Sequence, residues 1–271
     1  DYMSTKKVIL YYQTFTSLKP ILFPGTPVTH IHLSAIHFGI DSNKECYIHL
    51  NDHSPYDSVF NSMWNELEIA RNMGIKIVLM IGGAGSAYEQ LFSDFETYYT
   101  LLYNLIKNKP IIEGIDLDIE EEISLDNIVS LIKRVRNDFN SKFLISTAPI
   151  QSSIESDVPG MGGFIYKKLL ETDEGKTINY INGQFYGDYS LEAYDMVVKN
   201  GYKPQMVVMG MLSGQQYVDE LKLVVEKYGK NFGGVFIWEY FDIQPNALAW
   251  ISNIQEIFGL TSLNKSICNI S

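Results

Sequence analysis

The sequence is poor in cysteine, in basic charge, in long apolar runs and, beyond His53, in histidine. Its cysteines, Cys46 and Cys268, stand far apart and read either as two thiols or as one disulfide tethering the tail, so they say nothing about redox compartment. A formal net charge of −11 works against nucleic acid or an anionic membrane as partner, because either would be repelled at the surface. No apolar run reaches the roughly 18 residues of a membrane-spanning helix. The segment Asp1-Tyr2-Met3-Ser4-Thr5-Lys6-Lys7 lacks the apolar core of a signal peptide. The chain begins at Asp1 rather than Met, which accords with removal of a leader, and a secreted or extracellular location is the expectation. Two glycosylation triplets, Asn264-Lys265-Ser266 and Asn269-Ile270-Ser271, fall in the tail. His30-x-His32 could open a metal site, but later strands hold no imidazole to complete it, and no metal or other cofactor is expected.

No Pro/Ser-rich linker or internal repeat divides the 271 residues, a length that α/β barrels reach as one domain; a single domain over 1–271, and a monomer, is expected. Runs of strand length recur at Val8–Tyr12, Ile31–Phe38, Lys76–Ile81, Gly114–Ile119, Phe143–Ala148, Tyr180–Tyr186, Met206–Met211 and Val235–Trp238. Helical patterns lie between them, at Val59–Met73, Tyr88–Lys107, Leu125–Asn140, Phe164–Glu171, Leu191–Asn200, Gln215–Tyr228 and Ala247–Phe258. Near-continuous apolar strands alternating with helices imply a parallel sheet covered on its outer face, and eight such units match a (β/α)8 TIM barrel. A doubly wound open sheet is the rival. In a barrel, the longer segments Gly39–Asp57 and Ile150–Gly163 would fall on the carboxyl-terminal face, where barrel active sites form.

The most informative stretch is Glu113-Gly114-Ile115-Asp116-Leu117-Asp118-Ile119-Glu120. Successive strand side chains point to opposite faces, so Asp116, Asp118 and Glu120 share one face and Ile115, Leu117 and Ile119 the other. A solvated polar face on an antiparallel strand would explain the alternation, but Pro110-Ile111-Ile112 and Gly114 read as entry into a core. Acidic residues at every second position also suit calcium, yet the loop glycine and oxygen-rich flanks of such a site are missing. Close carboxylates cannot all ionise cheaply, so a proton is expected to be shared within the stack. Glu120, at the carboxyl-terminal end of the strand, is then placed to act as a general acid.

On the sixth strand Tyr180, Asn182, Gln184 and Tyr186 share a face, an unusual polar stripe for a buried strand. The eighth ends in Trp238, a flat ring at the same mouth, suited to stack on a sugar. Gly82-Gly83-Ala84-Gly85 lacks the third glycine of the dinucleotide pattern and the lysine of a P-loop, and reads instead as a tight turn allowing close approach of backbone or substrate. Ser86 has no histidine partner by motif, which leaves a serine nucleophile unsupported.

These residues resemble glycoside hydrolase family 18, the chitinase family, whose fourth-strand motif is D-G-x-D-x-D-x-E. Glu113 to Glu120 matches it except at the first position, where Glu stands for Asp. Met80-Ile81-Gly82-Gly83 resembles the third-strand S-x-G-G, Thr147-Ala148-Pro149 a fifth-strand segment, Gln184-Phe185-Tyr186 the sixth-strand Q-x-Y, and Gly233 to Trp238 the eighth-strand ending. The resemblance implies substrate-assisted, retaining hydrolysis of β-1,4-linked N-acetylglucosamine in chitin or its oligomers. It implies Glu120 as proton donor, Asp118 holding the acetamido nitrogen, Asp116 sharing a proton with Asp118, and Tyr186 bonding the acetamido group. Gln184 would contact substrate, Trp238 would floor the −1 sugar, Tyr11 would form a wall, and Gly82 and Gly83 would border the site. Departures at Met80, Ile119 and Gly187, where Ser, Trp or Val, and Asn are frequent, bear on substrate preference. Little room remains between the last two strands for the α/β insertion of some members, so an open cleft and endo-acting cleavage are expected. An endo-β-N-acetylglucosaminidase acting on N-glycan cores and a catalytically silent chitin-binding lectin of the same fold are the alternatives.

Overall fold

The structure, a computed structural model, describes residues 6–243 and 245–259. Cys268 and both glycosylation triplets lie outside the described residues. Nine strands form the sheet: β1 Lys7–Tyr12, β2 His30–Ile40, β3 Cys46–Leu50, β4 Lys76–Gly82, β5 Ile112–Asp118, β6 Leu144–Thr147, β7 Tyr180–Gln184, β8 Val207–Leu212 and β9 Gly234–Trp238. Their order is β1-β9-β8-β7-β6-β5-β4-β2-β3, and a further pairing of β1 with β2 closes eight parallel strands into a (β/α)8 barrel. That closure excludes the open doubly wound sheet. The helices are α1 Asn61–Asn72, α2 Tyr88–Ser93, α3 Phe95–Asn108, α4 Leu125–Asp138, α5 Ser152–Glu155, α6 Tyr166–Glu171, α7 Leu191–Lys199, α8 Val218–Tyr228 and α9 Ala247–Ile257.

Two apolar assemblies follow from strand parity. Outward residues such as Ile115, Leu117 and Val235 join the shell beneath the helices, while Ile9, Tyr11, Met80, Tyr180, Val208 and Phe236 fill the barrel interior. Helix α4 shows how the shell is covered: Ile128, Leu131, Ile132 and Val135 are buried at helical spacing, and the Ser124 side chain accepts from the Asn127 amide to start it. Gly114 fixes the approach of β5 to β6, since a Cβ there would lie 2.6 Å from the Leu144 carbonyl oxygen.

Three expectations need correction, and one strand was not expected. The segment after the second barrel strand holds β3, which turns back antiparallel on β2, pairing Gly39 with Tyr47 and Ile36 with Leu50. The helix expected over Tyr88–Lys107 divides at Asp94, whose side chain accepts from the Thr97 amide and starts α3 afresh. The expected fourth strand is β5 and ends at Asp118, which places Ile119 and Glu120 in the segment beyond it. The expected sixth strand is β7 and ends at Gln184, before Tyr186.

Candidate active site

Asp116 lies in the middle layer of the barrel interior, fully buried and surrounded by donors. Tyr11 from β1 donates its hydroxyl to Oδ2 at 2.6 Å, and Ser146 from β6 donates to Oδ1 at 2.7 Å. Asn182 from β7 donates to the Tyr11 hydroxyl at 3.0 Å and stands 3.5 Å from Asp116 Oδ1. His32 from β2 places Nδ1 3.2 Å from Oδ2, within ion-pair distance. The other imidazole nitrogen lies 2.8 Å from the Tyr180 hydroxyl. Burial alone would push the Asp116 carboxyl up; the adjacent His32 and the hydrogen bonds from His32, Tyr11 and Ser146 outweigh it and hold the group below the usual aspartate range.

Asp118, one layer higher on the same face, has far fewer donors. Gln184 Nε2 stands 3.4 Å from its Oδ1 while making a shorter 2.8 Å bond to the Ala148 carbonyl. Burial, then the charges of Glu120 and Asp116, then a hydrogen bond with Glu120 push the Asp118 carboxyl well above its ordinary value. Of the two aspartates, Asp118 is the one whose surroundings favour the protonated form. Glu120 is partly exposed at the mouth, past the strand end. Tyr186 is also partly exposed, and burial followed by the charges of Asp118, Glu120 and Asp116 keeps its phenol well above the ordinary range, so it remains a donor.

The structure brings the remaining expected residues to the same mouth. Trp238 lies 5.5 Å from the Tyr11 ring, centroid to centroid, and is half-buried. Gly82 and Gly83 are both at positive φ; the Gly83 amide donates to the Asp118 carbonyl at 2.9 Å, and a Cβ on Gly82 would lie 2.3 Å from that same oxygen. The turn is thus a seat for the β5 backbone. Glu113, the mismatch in the motif, pairs with Lys76 at 2.9 Å and Arg71 at 3.5 Å at the start of β5, remote from the mouth.

A cleft of about 500 Å³ continues from Trp238 across the β4 turn to the β2–β3 hairpin, lined by Gln13, His37, Tyr47, His49, Asn51 and Asp52. Tyr47 and His49 stack at 3.9 Å along one side. Asn51 ties the hairpin to the loop after β1, donating to the carbonyls of Gln13 and Ser34 at 3.0 Å each. Sequence reasoning missed this wall, although the alternation Tyr47-Ile48-His49-Leu50 was there to read. It also weighed His32 only as a metal ligand, whereas both its nitrogens face Asp116 and Tyr180. Among the described residues no cluster of His, Cys, Asp or Glu is arranged to hold a metal ion, and no helix is long and apolar enough to cross a membrane.

The arrangement can deliver a proton at Glu120, hold a polar substituent between Asp118 and Tyr186, and seat a flat ring on Trp238, which suits a sugar substrate. The fold is similar to that of a fungal endo-β-N-acetylglucosaminidase of glycosyl hydrolase family 18, with TM-score 0.82 and 33% identity, covering 93% of this chain and 97% of that one. It is also similar to a chitinase of Aspergillus fumigatus, with TM-score 0.79 and 33% identity, covering 93% and 99%. A family 18 chitinase of Pseudoalteromonas aurantia, 20% identical with TM-score 0.69 and covering 93% and 100%, shares the fold. No protein-family model and no curated relative matches the chain. Identity at this level along nearly the whole of two solved proteins places the chain: it belongs to glycoside hydrolase family 18 and is a glycoside hydrolase acting on carbohydrate.

Proposed function

We propose that this enzyme is a chitinase that hydrolyses β-1,4 bonds between N-acetylglucosamine units, endo-acting and with retention of configuration. The observation that carries the reading is the buried Asp118, its carboxyl pushed above the ordinary value by burial and by the neighbouring Glu120, beneath a ring-faced cleft. Glu120 takes the proton it shares with Asp118 and gives it to the glycosidic oxygen as the C1–O bond breaks, leaving Asp118 ionised to accept from the acetamido N–H, and the substrate's own acetamido carbonyl oxygen attacks C1 from the opposite face, forming an oxazolinium ion. Asp118 and Tyr186 hold the acetamido group, with Asp118 turning from Glu120 to the amide nitrogen as positive charge develops. Asp116 stays ionised below it. Water, losing a proton to Glu120, then adds to C1 and reopens the ring, so two inversions restore the starting configuration. Gln184 holds Asp118 from the side, Tyr11 holds Asp116, and Trp238 floors the sugar.

The similarity to both a chitinase and an endo-β-N-acetylglucosaminidase supports N-acetylglucosamine at the scissile bond. The loop 213–217 after β8 leads directly into α8, with no inserted domain to wall the cleft, which supports endo-acting cleavage. Product analysis on chitin oligomers beside a high-mannose glycoprotein tests the reading. Wild type should cleave the oligomers, and Glu120→Gln should lose roughly 10²- to 10⁴-fold in rate, the contribution of general acid catalysis. Equal rates would remove catalysis from this site. Cleavage of the glycoprotein alone would assign N-glycan cores as substrate, and binding without any product would leave a lectin.

A further inference from the structure

We propose that Glu121 is a positioning residue for the proton donor, fixing where Glu120 can place its carboxyl; the inference rests on Glu120 being the general acid. Residues 119–122 lie past the end of β5, where no ladder hydrogen bond holds the backbone. A proton donor there needs another anchor, because general acid catalysis requires hydrogen-bond reach to the departing oxygen.

The anchor is a single carboxylate. Glu121 Oε1 accepts from the Ala87 amide at 2.5 Å and the Tyr88 amide at 2.6 Å, and Oε2 stands 3.2 Å from the Glu89 amide. These are successive donors at the start of α2 that have no partner within the helix. Ala87 and Tyr88 are fully buried, and a carboxylate acceptor makes such bonds stronger than those between neutral groups. The segment they restrain has much freedom to lose: Gly82, Gly83, Gly85 and Ser86 all sit at positive φ. The tie is one of three around the donor. The Asp118 carbonyl accepts from Gly83 on one side, and the Ile123 amide donates to the Gly162 carbonyl at 3.0 Å on the other. With both ends and Glu121 held, the Glu120 backbone has one place to be.

A misplacement of about 1 Å in a reacting group costs on the order of 10²-fold in rate. The test uses leaving groups. A sugar departs only when protonated, whereas 2,4-dinitrophenolate departs as the anion and has little need of an acid. Glu121→Ala should lower kcat about 10²-fold on a chitooligosaccharide and only about threefold on 2,4-dinitrophenyl chitobioside, with KM for each near wild type. Glu121→Gln, which keeps one carbonyl oxygen for Ala87 and Tyr88, should recover most of the loss; if the alanine variant does not fold, Glu121→Asp, one methylene short of these amides, carries the test and should show the same contrast. Equal loss on both substrates, or none on either, overturns the proposal. Glu120→Gln is run beside it: if its loss shows the leaving-group contrast and that of the Glu121 variants does not, the positioning role alone falls. If Glu120→Gln shows no contrast, its assignment as acid falls and this inference with it.

Discussion

Asp116 and Asp118 are two residues apart on one face of one strand, both buried, yet their carboxyls are displaced in opposite directions. The difference is not depth, since the deeper group is the more acidic. It lies in donors: Tyr11, Ser146 and Asn182 converge on Asp116 with the His32 imidazole 3.2 Å away, whereas Gln184 reaches Asp118 only at 3.4 Å and the charges of Glu120 and Asp116 bear on it. Hydrogen bonds to the charged form lower a carboxyl, and desolvation beside like charge raises it. The middle layer of the barrel thus favours a negative charge, and the upper layer favours a proton.

Substituting Asp118 should give the largest effect. Asp118→Asn keeps the shape but cannot ionise, and turnover of a chitooligosaccharide should fall about 10²- to 10³-fold, the scale seen when one preorganised electrostatic group is removed. Its stability should move the other way. A carboxyl held above its unfolded value contributes stability that is complete below about pH 4 and is lost as pH rises through the elevated folded value. The asparagine variant lacks that loss, so its Tm near neutrality should exceed that of wild type. A lower Tm there would break the contrast between the layers.

Asp116→Asn comes next, with stability as its main readout. The carboxamide would turn an NH2 group toward Tyr11 and His32 or toward Ser146 and Asn182, and the Tyr11 hydroxyl already accepts from Asn182. One buried donor is left without an acceptor, at roughly 1–3 kcal/mol. Here the pH dependence has the opposite sign: a lowered carboxyl contributes stability above about pH 4 that is lost as pH falls through its folded value. Urea unfolding across the acid range should show that limb in wild type and its absence in the variant.

Much of this contrast was open to reading in the sequence, because strand parity is local: an alternating acidic and apolar run puts Asp116 and Asp118 on one face wherever the strand pairs. What surrounds each carboxyl is not local. Tyr11 meets Asp116 because the β1–β2 pairing closes the barrel, and His32 reaches it from β2 across β4, although its chemistry in sequence also pointed to a metal. Glu121 sits within the run Glu120-Glu121-Glu122, in which composition cannot say which carboxyl turns to α2. The β3 strand is five residues long, too short for its alternation to outweigh the polar turn before it. The break at Asp94 was masked by aromatic residues that continue a helical pattern through it.

Ser146→Ala is the smallest change and the finest probe of whether the layers are separable. Ser146 is fully buried and gives Asp116 Oδ1 its shortest bond, 2.7 Å; without it that oxygen keeps only Asn182, at 3.5 Å. The methyl group strands no donor, so the cost should be that of one hydrogen bond to a charge, roughly 1.5 kcal/mol. Asp116 should rise toward its ordinary value, and the acid limb of the unfolding curve should move to higher pH. An Asp116 carboxyl at its ordinary value is still ionised near neutrality, so the charge facing Asp118 is unchanged and kcat there should stay within about twofold. If kcat instead falls as far as it does in Asp118→Asn, the charge on Asp116 is setting the proton on Asp118. The two layers would then be one titrating unit, and the contrast between them a division of a single proton across the stack.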